Sequence, residues 1–221
     1  MRSVASETDW MQQALLFCGI LAPLLQVGTD RLAGTLLKGY DFSTQSMSEL
    51  SASGSPVRSL VVSLTCVATV LMIAFGVGIW RAEGQALLPR VVAVLVMGNA
   101  VLGLVATLFF PTRFGERPPF VSVGVILMFL SVVCFVLAMV VGAAAFSGWL
   151  RILSIGIPAS YVLLAILRFT TATSSSSEEV VSMIGTQERT MAFSFLFWVM
   201  ALAVHLLLSG RGVDSAGGIG R

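Results

Sequence analysis

The chain has 221 residues, of which 57% are hydrophobic and 11% charged, with a mean hydropathy of +0.95. Soluble domains carry about a quarter charged residues, so this composition excludes a soluble globular protein and predicts an integral membrane protein. The formal charge of +2 is small and its basic residues are scattered singly, which argues against nucleic acid as a partner.

In hydrocarbon every backbone N–H and C=O must be satisfied within its own segment, so each long apolar run predicts a helix of about 20 residues. Residues 1–10 form an N-terminal tail, with Glu7 and Asp9 where a signal peptide would be basic. Nothing between Asp9 and Asp30 is charged, which predicts a first span over about 11–33, bent at Pro23 and Gly28. Arg58 and Arg81 bracket a second span, 60–80, and Arg90 and Arg113 a third, 91–110. The charge-free stretch from Arg117 to Arg151 is too long for one crossing. A turn near Gly142 and Gly148 divides it into a fourth span, 121–143, and a fifth, 150–168, with Pro158 as a helix breaker inside it. A Ser-rich linker, 170–177, and a short helix capped by Ser177 precede the sixth span, 190–208. Residues 210–221 read as a flexible tail. The predicted fold is therefore all-α: one six-helix transmembrane bundle over 11–209.

Six crossings put both termini on one side. Lys and Arg divide almost evenly between the two faces, so the positive-inside rule gives no orientation. The long polar loops look like the exported side, which leaves both termini cytoplasmic. Three tryptophans, Trp10, Trp80 and Trp149, fall at span ends on the terminal side, as an interfacial belt would.

Polar residues collect at the opposite face. Asp41, Ser48 and Glu49 lie in the first loop, and Glu188 and Arg189 open the last span, so a loop carboxylate is expected to meet Arg189 in a low-dielectric rim. The competing structural reading is that Ser46-Met47-Ser48-Glu49 is a capping box and that Glu188 answers a helix macrodipole. Asn99 sits near the middle of the third span, where a buried amide needs partners at a helix interface, with Gln26, Thr65 or Thr69 as candidates. His205 is the only histidine and lies about four turns beyond Arg189, outside the rim site. Cys18, Cys66 and Cys134 are dispersed on different spans, so no disulfide framework, metal site or cofactor is expected. A Ser48–Lys38 dyad is conceivable on paper, but a lysine at a membrane boundary is usually a snorkelling anchor.

The run Gly39-Tyr40-Asp41, then Ser46-Met47-Ser48-Glu49-Leu50 and Gly54-Ser55-Pro56, with Gly185-Thr186-Gln187-Glu188-Arg189 opening the last helix and Trp198 within it, resembles the prokaryotic membrane family catalogued as domain of unknown function 998. The resemblance covers about residues 12–208 and implies six helices, with Asp41, Ser48, Glu49, Glu188 and Arg189 on the family's polar motifs. It implies no activity. It also implies an acidic residue and a histidine after the third span, where this sequence has Glu116 and no histidine.

These readings combine into one expectation: a non-catalytic plasma-membrane protein that binds a lipid headgroup or a membrane partner, or a second copy of itself, at the exported rim. Arg189 with Arg113 or Arg117 would serve an anionic headgroup. Two other classes remain open: a lipid-modifying hydrolase or transferase using Asp41, Ser48 or Glu49, and a small-solute transporter with a polar path through Asn99 and Gln26.

Overall fold

The computed structural model describes residues 2–82, 86–114, 122–172 and 184–216. Its helices are α1 (Arg2–Leu36), the short α2 (Met47–Leu50), α3 (Arg58–Ala82), α4 (Leu87–Phe109), α5 (Val123–Ala145), α6 (Trp149–Ala172) and α7 (Ile184–Ala216). Among the described residues there is no strand, only an isolated parallel bridge between Ser53 and Arg113.

Five helices, α1, α3, α4, α5 and α7, are long and apolar enough to cross a membrane. In α6 the apolar part whose side chains are described is shorter, Trp149–Leu163, and the helix continues through Pro158. The protein is thus an all-α, multi-pass integral membrane protein. Helix α1 reaches back to Arg2 and α7 runs on to Ala216, into stretches that read as tails in the sequence. The Ser-rich linker beyond Ala172, its Ser177-capped helix, Glu116 and Arg117 lie outside the described residues.

Each long helix packs on its neighbour in the chain, and α7 closes the ring against α1. Lipid tails are as apolar as leucine, so helices in a membrane are held by close packing rather than by water exclusion. Small residues set the approach. Gly76 faces α4, where a Cβ would collide with Met97, and Gly78 faces α1, where a Cβ would come within 3.1 Å of Leu15. The core along the ring axis includes Phe75, Ile79, Val96, Met139, Trp198 and Leu202, all buried. A second cluster, Ala33, Leu50, Val57 and Val61 with Leu37 and Tyr40 against it, lies beneath the first loop.

Asn99 does not meet Gln26, Thr65 or Thr69. Its Nδ2 donates to the Ser131 carbonyl at 3.0 Å and to Ser131 Oγ at 2.8 Å, and Ser131 Oγ reaches back to the Asn99 carbonyl at 3.2 Å. The residue is a staple between α4 and α5. A midplane amide satisfies itself on the nearest helix with a free hydroxyl, and the chain neighbour supplies it.

Candidate functional site: a clamped loop

Residues 37–57 connect α1 to α3 and carry α2 between them. Gly39 and Gly54 adopt positive φ, +78° and +92°, a conformation open to glycine at little cost. After Gly39, Asp41 builds a turn on itself: one carboxylate oxygen accepts from the Ser43 amide at 2.8 Å and the Ser43 hydroxyl at 2.6 Å, and the other accepts from Thr44 at 3.1 Å. Gln45 Oε1 takes the Asp41 amide at 2.8 Å, and its Nε2 donates to Glu49 Oε2 at 2.9 Å. Beyond α2, the Ser53 amide donates to the Thr112 carbonyl at 2.7 Å and the Phe114 amide to the Ser53 carbonyl at 3.0 Å. Arg58 adds bonds to the Ser51 carbonyl and, at 3.2 Å, to the Thr107 carbonyl. The loop is thereby tied to the far end of α4.

Helix α7 supplies the clamp. Arg189, 5% exposed, makes a two-pronged ion pair with Asp30 of α1, 3% exposed, through Nε–Oδ2 at 3.1 Å and Nη2–Oδ1 at 3.0 Å. Nη2 also donates to the Tyr40 hydroxyl, and Nη1 reaches the carbonyls of Phe42 at 2.8 Å, Gln45 at 2.9 Å and Gly185 at 3.1 Å. Every N–H of a guanidinium fork is then occupied. Gly185 leaves room for this: a Cβ there would collide with the Gln45 carbonyl and stand 2.7 Å from that of Phe42. One turn on, Glu188 Oε2 accepts the Met47 amide at 2.9 Å.

The model of a protein family described as "Protein of unknown function (DUF998)" matches residues 20–205. This chain belongs to the DUF998 family. No curated protein and no solved structure matches it. The DUF998 chain thus places Tyr40, the Ser46–Leu50 run and the Gly185–Arg189 opening of α7 in one hydrogen-bonded unit.

Several expectations for the rim change with this geometry. The carboxylate that meets Arg189 is Asp30, which the sequence offers only as the boundary of a span; Asp41 and Glu49 are bonded within the loop instead. No capping box forms, because the Ser46 side chain makes no cap hydrogen bond and pairs with the Ser48 hydroxyl at 2.8 Å. The α2 N-terminus is met from across the bundle, by Glu188. Arg189 is not open to an anionic headgroup. Asn99 lies apart, in the α4–α5 seam, and among the described residues no group of three His, Cys, Asp or Glu is placed to hold a metal.

The loop's ionisation follows from its contacts. Burial pushes the Tyr40 phenol up to about 12 against the opposing pull of Arg189, so at neutral pH its hydroxyl keeps a proton to donate to the Ser46 carbonyl at 2.8 Å. The hydroxyl and amide of Ser43, then Thr44, hold the Asp41 carboxyl below its ordinary value. A lowered folded value means that this turn is stabilised above the usual carboxylate range and loses that support as pH falls through the folded value. The exchange protection of the Ser43 amide should therefore fall on acidification, and Asp41→Asn should flatten that dependence. An unchanged pH profile in Asp41→Asn would show that other groups govern the turn.

Proposed function

We propose that this DUF998 protein is a non-catalytic membrane component whose clamped loop is a recognition platform for a partner protein at the membrane surface. In this reading the loop face is exported and both termini are cytoplasmic. The observation that carries it is the division of labour at the rim: Arg189, Glu188, Tyr40 and Glu49 make the contacts that fix the loop from within, whereas Lys38, Gln187, Thr186 and the self-bonded Asp41–Thr44 turn present exposed surface. A buried ion pair is weak evidence for stability, and its best attested use is to specify one conformation. A loop held in one shape loses little entropy when it binds.

Charge favours a protein over a headgroup on this platform. Lys38 and Asp41 give it mixed sign, and the ionised Asp41 repels a phosphate. The enzyme reading draws less support: the Ser48 hydroxyl is bonded to Ser46, not to Lys38 or a carboxylate. For the transporter reading, Asn99 is engaged by Ser131 rather than aligned with Gln26.

The test is a photo-crosslinking side chain at Thr44 or Thr186 in the full-length protein, in its native membrane. Both positions should give the same discrete protein adduct, Arg189→Ala should lose it, and the same probe at Val70, 66% exposed on α3, should give none. Only lipid-sized adducts at Thr44 and Thr186 would overturn the reading.

A further inference from the structure

On the flank of the bundle, α6 and α7 leave a groove of about 360 Å³ lined by Leu153 and Ile157 on one side and Thr190, Phe193, Ser194 and Phe197 on the other. Such a volume is in the range of small-ligand sites. The walls are apolar except for two hydroxyls. Thr190 donates to the Thr186 carbonyl at 2.8 Å and Ser194 to the Thr190 carbonyl at 2.6 Å, which leaves both oxygens as acceptors.

Arg31 stands beside this groove. Its guanidinium lies 5.4 Å from the centroid of the Phe193 ring and 4.9 Å from that of Phe42, and its side chain is 54% exposed. Asp30 approaches its Nε only to 4.0 Å and gives both oxygens to Arg189. Among the described residues the Arg31 fork makes no hydrogen bond. Arg31 is five residues before the end of α1, so it lies ~8 Å inside that helix end. A cation held by aromatic faces at that depth sits where lipid phosphates meet acyl chains.

We infer that this groove binds one anionic glycerophospholipid, its phosphate on the Arg31 fork and one acyl chain along Ile157, Phe193 and Phe197. Arginine presents paired donors that match phosphate oxygens, and no acidic side chain lines the groove. The acceptor oxygens of Thr190 and Ser194 suit a headgroup that carries hydroxyl donors, which phosphatidylglycerol has and phosphatidylcholine lacks. The site adjoins the loop platform through the Phe42 ring and Thr186 but faces the flank of the bundle.

Native mass spectrometry of the detergent-purified full-length protein, incubated with phosphatidylglycerol or phosphatidylcholine, tests this. Wild type should retain one phosphatidylglycerol per chain in preference to phosphatidylcholine. Arg31→Gln should lower that preference by about tenfold, the scale of one lost charge-assisted pair. Phe197→Trp, which fills the groove at an exposed position without altering charge, should lower retention of both lipids. Arg151→Gln, an exposed arginine near the start of α6, should retain the lipid as wild type does. Equal retention of the two lipids by wild type, unchanged retention in Arg31→Gln or Phe197→Trp, or a second protein chain in place of lipid would each overturn the inference.

Discussion

Arg189→Ala should destabilise the folded protein by about 3–5 kcal/mol, the cost of leaving one member of a buried ion pair without its partner. Asp30, 3% exposed, would keep its charge with only the half-exposed Arg31, 4.0 Å away, as counterion, the Phe42 carbonyl would lose its Arg189 donor, and the Gln45 carbonyl would keep only Tyr40. Thermal unfolding in detergent reads the loss. The pair and the loop contacts can be separated by the double variant Asp30→Leu with Arg189→Met. Replacing a buried pair by apolar side chains is often neutral or stabilising, so that variant should unfold close to wild type while its loop amides exchange faster. A double variant as unstable as Arg189→Ala would mean that the bonds to the loop, and not the ion pair, hold the bundle together. Arg189→Lys should unfold nearer to wild type than to the alanine variant, because its ammonium keeps a counter-charge for Asp30, while its loop amides exchange faster, because an ammonium cannot span Asp30, Tyr40 and the loop carbonyls at once.

The second large effect is expected at Trp198. The ring is fully buried, stacks on Phe195 with centroids 6.2 Å apart, and donates through Nε1 to Ser154 Oγ at 2.8 Å. Gly142 of α5 makes the space, because a Cβ there would stand 2.7 Å from the Trp198 ring. One side chain thus fills the junction of α5, α6 and α7. Trp198→Ala should cost about 3–5 kcal/mol, from the cavity it opens and the contacts it forfeits. Trp198→Phe keeps most of the volume and loses the hydrogen bond, which in membranes averages about 0.6 kcal/mol. Similar unfolding temperatures for the alanine and phenylalanine variants would show that ring volume is not what the junction needs.

The helices were legible because hydrocarbon forbids unpaired backbone: an uncharged apolar run of membrane length has one stable form. The loop face was legible for a related reason, since an alternating path brings the first loop and the start of the last helix to one side. Pairing was less so. Asp30, followed by Arg31, reads as the boundary of a span, and its partner is 159 residues away. Ser46-Met47-Ser48-Glu49 has the spacing of a capping box, but the side chains found nearer partners, Ser48 for Ser46 and Gln45 for Glu49. Glu188, 141 residues distant, took the α2 amide. The residue types did carry one usable hint: a glycine four positions before an arginine at the head of an apolar helix, Gly185 and Arg189, is the pattern of a backbone close approach beside a buried cation.

By itself, the sequence determined that this protein is an all-α membrane protein built on long apolar helices. Those properties depend on composition and on local backbone hydrogen bonding, which neighbours along the chain settle. Only the tertiary structure decided that Arg189 closes on Asp30 rather than on Asp41 or Glu49, that Asn99 staples α4 to α5, and that Arg31 stands over Phe42 and Phe193 beside a groove between α6 and α7. Those choices turn on which buried polar group finds a partner within about 3 Å, a distance set by the packing of whole helices and not by spacing in the chain.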